Sequence, residues 1–501
     1  MVIRAAWGLA AAALLAVAAL ELPATAAKDD WISVRTPHLA IVSSAGERAT
    51  TRLAERLERF VDAFSSFVDV GADPDVPVTV MVFGNDAAFA PFRPRQNGRT
   101  LNLSGYFQRA DDENVIALSL ETSADEHPYR VIFHEYAHAL TARAAAVWPL
   151  WLQEGLAEFY STFEADSRRV ALGQPIREHA RLLREQRLLP LRTLFEVGRD
   201  EPMAGENPQG IFYAEAWALV HYLLAGDGGR RRTAFAEYLD ALSAGQPPDR
   251  AFAQACGADD DAVEDDLRRY IGDGRYVGVN VTVEQPARDV QASVRPLTEA
   301  EAEVFQGSLL MRVGRGDQAD AHFARARALD PRVARLEESL GFLALSRAQY
   351  EDAIAHLREA TAQDPANPLA HYYYAEALRR QIMERGRALP AEVARAMADP
   401  LRRAIASRPS FARAYYLLGY VHFVTGEDLP EGVRLLETAI RLAPPHRGAM
   451  LTLASIQLKT RDYAAAKATA QKILDAPDAS EAIKTEARRL VDVVDQNLSG
   501  R

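Results

Sequence analysis

The 501-residue sequence has a single cysteine, Cys256, so no disulfide bond can form within the chain. Cys256 lies in a stretch of helical character, and we interpret it as a small, buried apolar side chain rather than a reactive thiol. The length is ample for two or three domains.

The sequence also lacks an excess of positive charge. Its 58 basic residues are interspersed with 69 acidic ones, which gives a formal net charge of -11. No cluster of lysine and arginine stands out. These features argue against a nucleic-acid-binding protein.

The first residues are typical of an export signal. Arg4 supplies positive charge, Ala5 to Leu20 form an apolar run, and Ala24-Thr25-Ala26 has the small-x-small pattern of a cleavage site. The run is short and rich in alanine, which disfavours a transmembrane anchor, and no cysteine follows it for lipid attachment. We therefore predict a signal peptide over residues 1–26 and an exported protein, periplasmic or secreted, without a stable membrane anchor.

The segment RVIFHEYAHAL contains His134, Glu135 and His138. On a helix, residues four apart share a face, so the two histidines direct nitrogen atoms toward one point, as a tetrahedral Zn²⁺ site needs. Glu135 is then placed to take a proton from water at the metal. The motif can arise by chance on a solvated helix, but apolar residues surround it here, and burying these polar groups without a partner would be costly.

A second motif, WLQEGLAEF, follows Pro149, where we predict that a second helix begins. Glu154, sixteen residues beyond His138, can supply the third ligand. Glu158 falls one helical turn further along the same face. It could accept a hydrogen bond from a ligating histidine and fix the orientation of that ring.

These residues resemble the gluzincin metallopeptidases, a class that includes thermolysin and the zinc aminopeptidases. Residues 151–157 match their second motif, Trp-Leu-x-Glu-Gly-x-Ala, with Glu154 in the ligand position. The resemblance implies a zincin-like fold and one Zn²⁺ per chain, held by His134, His138 and Glu154, with Glu135 as the general base. Nearly the whole chain after the leader is similar to the bacterial peptidase MA-like proteins, which join such a domain to tetratricopeptide (TPR) repeats.

The sequence departs from the aminopeptidases in two places. The gap between the two motifs is shorter by a few residues, and the Gly-x-Met-Glu-Asn segment that recognises a substrate amino terminus is missing. We therefore expect an endopeptidase that acts on extended polypeptide.

Upstream of the motifs, the pattern is mixed and predicts an α+β domain. Alternation over 31–44, the run over 76–83 and two further segments, 100–107 and 114–120, indicate strands, and 47–67 has helical periodicity. In gluzincins an edge strand beside the zinc cleft pairs with substrate. The segment Asn114–Ser119 is our candidate for that strand, and an ordinary core strand is an equal alternative.

Downstream of the motifs the chain is helical. An amphipathic stretch covers 182–194, a loop covers 198–210, and a mostly apolar helix covers 211–224. The aminopeptidases place an oxyanion-stabilising tyrosine at the start of such a helix, which suggests that role for Tyr213. A core aromatic is the alternative for Tyr213. We interpret His221 first as a core histidine and second as another oxyanion donor.

The C-terminal part repeats with a 34-residue period, seen in Asp330-Pro331 and Asp364-Pro365. Small and large residues alternate between these dipeptides as in a TPR repeat. One unit is longer by about ten residues around Met383–Pro390. Stacked helix pairs of this kind form a groove that binds a protein or peptide partner, and a rigid spacer is the alternative.

The sequence therefore predicts an α+β, zincin-like metallopeptidase domain with a mixed sheet over 28–272, a linker over 273–297 and an all-α TPR solenoid over 298–496. We expect an exported zinc endopeptidase acting on polypeptide. The alternative is a non-catalytic, zinc-binding TPR scaffold of the cell envelope.

Overall fold

The computed structural model describes residues 30–67, 77–96, 98–108, 113–121, 129–141, 148–166, 169–197, 208–257, 260–282, 291–384, 386–443, 446–476 and 479–499. The predicted signal peptide lies outside these residues. Among the helices that are described, none combines the length and apolar character needed to span a bilayer.

The N-terminal part is an α+β domain, as predicted. Its elements are β1 (Ile32–Arg35), β2 (Ala40–Ser43), α1 (Glu47–Phe67), β3 (Val78–Phe83), α2 (Asp86–Phe89), β4 (Arg95–Gln96), β5 (Arg99–Thr100), β6 (Gly105–Gln108), β7 (Asn114–Ser119), α3 (Arg130–Thr141), α4 (Leu150–Ser161), β8 (Glu164–Ala165), β9 (Arg169–Leu172), α5 (Arg177–Glu185), α6 (Leu191–Glu196), α7 (Pro208–Leu224), α8 (Arg232–Ser243), α9 (Pro248–Cys256), α10 (Asp260–Asp273), β10 (Val279–Thr282) and β11 (Ser293–Pro296).

The main sheet is mixed and six-stranded, in the order β11-β1-β2-β3-β7-β6. The β2–β3 and β3–β7 pairs are parallel, and the other three pairs are antiparallel. All six residues of β3 and all six of β7 are buried, so both faces of the sheet are covered. This explains why apolar residues in these strands are not confined to alternate positions in the sequence.

The prediction that Asn114–Ser119 forms an edge strand is wrong. This strand, β7, lies between β3 and β6, because β6 returns antiparallel along it and occupies the edge. The edge strand nevertheless passes close to the motif helix: a Cβ atom on Gly105 of β6 would lie 3.0 Å from Cγ1 of Val131 on α3. The strand predicted over 100–107 is correspondingly shorter and begins at Gly105.

Successive residues of the central strands enter two different apolar cores. Val80 and Ile116 face a core built with α1, α3 and α4, whereas Met81 and Val115 face a second core. That second core is completed by helices that follow the sheet in the chain, including Leu309. The solenoid is therefore attached to the domain by a shared apolar core.

The segment 273–297, predicted to be a linker, contributes two strands to the N-terminal domain. Val279–Thr282 pairs with β9, and Ser293–Pro296 pairs with β1 at the edge of the main sheet. The alternating pattern that marks this segment reflects two strands that return to the N-terminal domain. The amphipathic stretch predicted over 182–194 is also divided, into α5 and α6, with Pro190 preceding α6.

The C-terminal part is a solenoid of antiparallel helix pairs with a final helix. Its helices are α11 (Glu299–Arg312), α12 (Gly316–Leu329), α13 (Leu336–Ser346), α14 (Tyr350–Gln363), α15 (Pro368–Met383), α16 (Ala391–Ser407), α17 (Ala412–Thr425), α18 (Leu429–Leu442), α19 (Arg447–Lys459), α20 (Tyr463–Leu474) and α21 (Glu481–Ser499).

Small residues allow the two helices of each pair to approach closely, as the repeat pattern predicts. A Cβ atom on Gly341 would lie 2.5 Å from Cγ of Leu357, and one on Gly307 would lie 2.6 Å from the ring of Phe323. The extra residues near Met383–Pro390 form the connection between α15 and α16 and precede a longer second helix.

Candidate metal centre

The two histidines of the first motif lie side by side on α3. His134 and His138 are half-buried, and their Nε2 atoms are 3.1 Å apart. Buried Phe133, Tyr136 and Ala137 anchor the other faces of the helix in the core. The amphipathic pattern of α3 therefore fixes both imidazoles on the face that looks toward α4.

Glu154 brings a carboxylate to the same point from α4. Its Oε2 atom lies 3.6 Å from Nε2 of His134 and 3.3 Å from Nε2 of His138. A tetrahedral zinc ion bonded at about 2.0–2.1 Å separates its ligand atoms by about 3.3–3.4 Å. The two nitrogens and the oxygen therefore have the spacing and the donor chemistry of three zinc ligands, and among the described residues they are the one group with this capacity.

Close contact between α4 and α7 sets the position of Glu154. A Cβ atom on the next residue, Gly155, would lie 2.4 Å from the carbonyl oxygen of Ala216 on α7. Trp151, one turn earlier, stacks on Phe195. Packing therefore explains the glycine at position 155 of the second motif. Any side chain there would force α7 away from the helix that carries Glu154.

Glu135 follows His134 on α3, where both histidines influence its charge. Burial raises the pKa of the Glu135 carboxyl above its ordinary value, and His134 and His138 act in the opposite direction. A carboxylate with a raised pKa is a better acceptor for a proton at neutral pH. The environment of Glu135 therefore suits proton transfer.

Glu158 connects the face of α3 that carries the two histidines to α5. Its Oε1 atom lies 3.5 Å from Nδ1 of His134, and its Oε2 atom lies 3.2 Å from Nη2 of Arg130 and 3.3 Å from Nε2 of His179. Burial alone would raise the pKa of Glu158, but His134, His179 and Arg130 outweigh it and lower the pKa to about 2. Glu158 is therefore a carboxylate that can orient the imidazole of His134.

Sequence reasoning missed His179 and the role of Arg130. His179 is buried on α5, against the ring of Trp217, and neither of its ring nitrogens has a hydrogen bond of good geometry among the described residues. The sequence offered one signal for His179. It precedes Leu182 by three residues and Leu183 by four, which places it on the apolar face of α5. That pattern shows burial but not the neighbour that the histidine meets.

Tyr213 lies in a cleft with one of the candidate metal ligands, His134. It is half-buried in the second turn of α7 and lines a cleft of about 340 Å³ together with His134, Glu158 and His179. The structure thus places Tyr213, the residue that the resemblance suggested, in one cleft with His134.

The alternative role for His221 is wrong. This residue is fully buried, its Nε2 lies 2.9 Å from the carbonyl oxygen of Gly173, and its Nδ1 lies 2.6 Å from the hydroxyl of Tyr270. Burial lowers the pKa of His221 to about 4. With both nitrogens engaged, it is a core histidine. Cys256, predicted to be buried, is half-buried at the end of α9.

Comparison with known proteins gives one family match. Residues 130–249, which include all six predicted site residues, match a family described as a protein of unknown function, DUF1570. No curated protein matches the chain.

Several solved structures are similar to part of the chain. One is a thermophilic TPR protein from Thermus thermophilus, with 19% identity, 38% of this chain and 98% of that chain covered, and a TM-score of 0.29. Another is YrrB, described as a TPR protein with an unusual peptide-binding site, with 18% identity, 38% and 92% covered, and a TM-score of 0.32. A third is MamA from Desulfovibrio magneticus RS-1, with 17% identity, 37% and 98% covered, and a TM-score of 0.31.

Proposed function

We propose that this protein is an exported zinc metallopeptidase of gluzincin type, with one Zn²⁺ per chain held by His134, His138 and Glu154. The observation that carries the proposal is the triangle of two imidazole nitrogens and one carboxylate oxygen, with sides of 3.1, 3.3 and 3.6 Å. Three protein ligands leave a fourth position for water or substrate, which is the arrangement of catalytic zinc sites.

The reaction is hydrolysis of a peptide bond. Zinc, when bound, supplies Lewis acidity, which lowers the pKa of water at the site toward about 7 and polarises the scissile carbonyl. Glu135 accepts the proton of the attacking water and gives it to the leaving amine nitrogen. The hydroxyl of Tyr213 donates a hydrogen bond to the oxyanion that develops on the carbonyl oxygen. Glu158 holds the ring of His134 in the orientation that binding requires.

The substrate is an extended polypeptide, cleaved internally. β6 is the edge strand nearest to α3, and a strand edge can pair with the backbone of an extended peptide. Our candidate for substrate pairing is therefore β6 and no longer β7, the candidate from the sequence. The solenoid binds a protein or peptide partner.

A second candidate function is a zinc-binding scaffold of the cell envelope without turnover. The observation that favours it is the shared apolar core, which attaches α11 to the sheet and makes the solenoid part of one body with the metal domain. Under this alternative, removing zinc leaves partner binding intact.

A Glu135→Gln variant tests the peptidase function. We expect the zinc-loaded parent to cleave peptides in a quenched fluorescent library, and we expect the variant to keep its zinc and lose about 10²–10⁴-fold in kcat/KM. Glu185→Gln, which alters an exposed carboxylate on α5, is the matched control and should retain activity. Full activity of the Glu135 variant contradicts the mechanism. A zinc-loaded parent that cleaves no peptide favours the scaffold.

A further inference from the structure

We propose that the solenoid contains a carboxylate-binding site at Arg380 and Arg413, which recognises an acidic side chain of an extended partner polypeptide. The inference rests on the proposed role of the solenoid as a polypeptide-binding module. It adds the chemical character of that partner. The supporting observation is that two arginines at equivalent repeat positions already bind a carboxylate elsewhere in this chain.

The existing carboxylate site lies where the solenoid meets the N-terminal domain. Glu113, just before β7, is buried, and its Oε2 accepts hydrogen bonds from Nη2 of Arg312 at 2.9 Å and from Nη2 of Arg335 at 3.0 Å. Arg312 ends the first helix of one pair, and Arg335 begins the first helix of the next. Two successive helix pairs of the solenoid therefore bind one carboxylate that belongs to the N-terminal domain.

The repeat places the same two positions two pairs further along. Arg312 follows Gly307 by five residues, and Arg380 follows Ala375 by five, with Gly307 and Ala375 at the same position of the repeat. Arg335 precedes Gly341 by six residues. Arg413 precedes Gly419, the corresponding small residue, also by six. Arg380 near the end of α15 and Arg413 at the start of α17 are therefore the equivalents of the pair that holds Glu113.

In each pair, one of the two arginines lies over an aromatic ring. The guanidinium of Arg335 lies over the ring of Phe305, at 5.4 Å, and that of Arg413 lies over the ring of Tyr372, at 5.1 Å. In both places an aromatic ring supports the arginine from the preceding first helix. Arg380 is anchored through Nε, which donates to Oε1 of Glu376 at 2.6 Å, while 41% of its side chain remains accessible.

The neighbouring surface has the charge that an acidic peptide needs. The first helices α15, α17 and α19 contain one acidic residue, Glu376, and five basic ones: Arg379, Arg380, Arg413, Arg447 and Lys459. This basic character contrasts with the formal net charge of -11 for the whole chain. Lys459 occupies the position equivalent to Arg380 two helix pairs later, and its Nζ lies 5.6 Å from the ring centre of Phe423. Lys459 therefore extends the positive surface along the solenoid.

Half-buried tyrosines give this surface contact area for a polypeptide. Tyr416 and Tyr420 lie on α17, with ring centres 6.5 Å apart, and Tyr416 packs on His446 at 4.7 Å. Tyrosine supplies large contact area at low conformational cost. The equivalent arginine pair binds the carboxylate of a glutamate, Glu113, so an acidic polypeptide is the occupant that fits best.

Fluorescence anisotropy with the full chain tests the site. The probe is a fluorescein-labelled peptide of alternating glutamate and alanine, and its matched control has glutamine at each glutamate position. A Glu135→Gln background keeps the peptides intact. We expect the acidic peptide to bind about tenfold more tightly than the glutamine peptide, with affinity falling as salt rises.

An Arg380→Gln, Arg413→Gln double variant should lose this preference. Arg402→Gln with Arg434→Gln makes the same change in net charge at exposed arginines of second helices and should keep it. Arg413→Gln alone serves if the double variant unfolds, as judged by its melting curve. Equal binding of the two peptides by the parent, equal loss in the control variant, or tighter binding of an oligonucleotide of matched charge overturns the inference. Absence of binding to either peptide overturns the peptide-binding role as well, and it leaves the metal centre untouched.

Discussion

Nδ1 of His134 lies 3.5 Å from Oε1 of Glu158, while Nε2 of the same ring lies 3.6 Å from Oε2 of Glu154. One imidazole thus faces a carboxylate on each side. If Nδ1 carries the proton, Nε2 is left with its lone pair directed at the candidate metal position. Both carboxylates come from α4, one helical turn apart, so a single helix supplies one candidate ligand and the group that can orient another.

The first prediction concerns His179. Replacing it with leucine removes one of the groups that hold Glu158, so we expect zinc affinity to fall about tenfold or more while the three ligands remain. His179→Gln, which puts a polar side chain back beside Glu158, should recover part of the affinity. His356→Leu removes a histidine that pairs with Glu337 at 2.6 Å in the solenoid, and it serves as the control. Chelator competition measures the affinities, and equal affinities for the His179 and His356 variants would refute the role of His179.

The second prediction concerns the contact between α4 and α7. Gly155→Ala puts a methyl group against the backbone of Ala216, so we expect a loss of about 1–3 kcal/mol in the free energy of unfolding. Activity should fall with it, because α7 carries Tyr213. Gly272→Ala is the matched control: nothing lies within 4 Å of its Cβ position in helix α10, so stability should rise by roughly 0.5–1 kcal/mol. Urea unfolding of both variants checks the pair. A neutral effect at Gly155 would contradict the packing argument.

The third prediction concerns the pH dependence of the joint between the domain and the solenoid. Burial would raise the pKa of Glu113, but Arg335 and Arg312 outweigh it and lower the pKa from 4.5 to about 2. A lowered pKa means that the ion pairs stabilise the folded chain fully above pH 4.5 and that this contribution is lost as pH falls toward 2.

Glu113→Gln should therefore destabilise the protein by about 3 kcal/mol at pH 7. The difference between parent and variant should shrink as pH falls below 4.5. Thermal unfolding midpoints between pH 7 and pH 3 measure it. Asp399→Asn removes an exposed ion pair with Arg402 and should change little at any pH. A difference that is constant with pH would show that Glu113 contributes through packing alone.

The fourth prediction concerns Tyr213. In Tyr213→Phe we expect kcat to fall about 10²-fold or more, with KM nearly unchanged, because the hydroxyl acts on the oxyanion and not on the bound substrate. Tyr222→Phe removes a hydroxyl on the same helix that donates to Asp266 at 3.0 Å, and it should leave kcat unchanged. Unaltered kcat in Tyr213→Phe would return that residue to a core aromatic.

The sequence could predict that the three candidate ligands lie together, because local geometry places them. His134 and His138 face the same way on any regular helix, and Glu154 lies on the next helix after a short connection. His179 could not be predicted in the same way, because α5 reaches Glu158 only through tertiary packing. The role of Arg130 was hidden for the same reason, since its partner is 28 residues away.

The order of the strands in the sheet could not be predicted from the sequence either. Alternation identifies a strand but does not say which strands flank it, so Asn114–Ser119 could be assigned equally to an edge or to the interior. Its two buried faces arise because α11 and its neighbours return to cover the sheet, almost 200 residues later in the chain. The segment 273–297 has strand-like alternation and two prolines in the sequence. Only the pairing of β10 with β9 and of β11 with β1 shows that these strands belong to the N-terminal domain.

The most direct test is the metal content of the purified mature protein, measured by inductively coupled plasma mass spectrometry for the parent and for Glu154→Ala. We expect close to one zinc per parent chain and a large loss in the variant, because the variant lacks the third candidate ligand. A well-folded parent that holds little zinc even after zinc is supplied would contradict the proposed metal site, and the solenoid would then be the functional part of the chain.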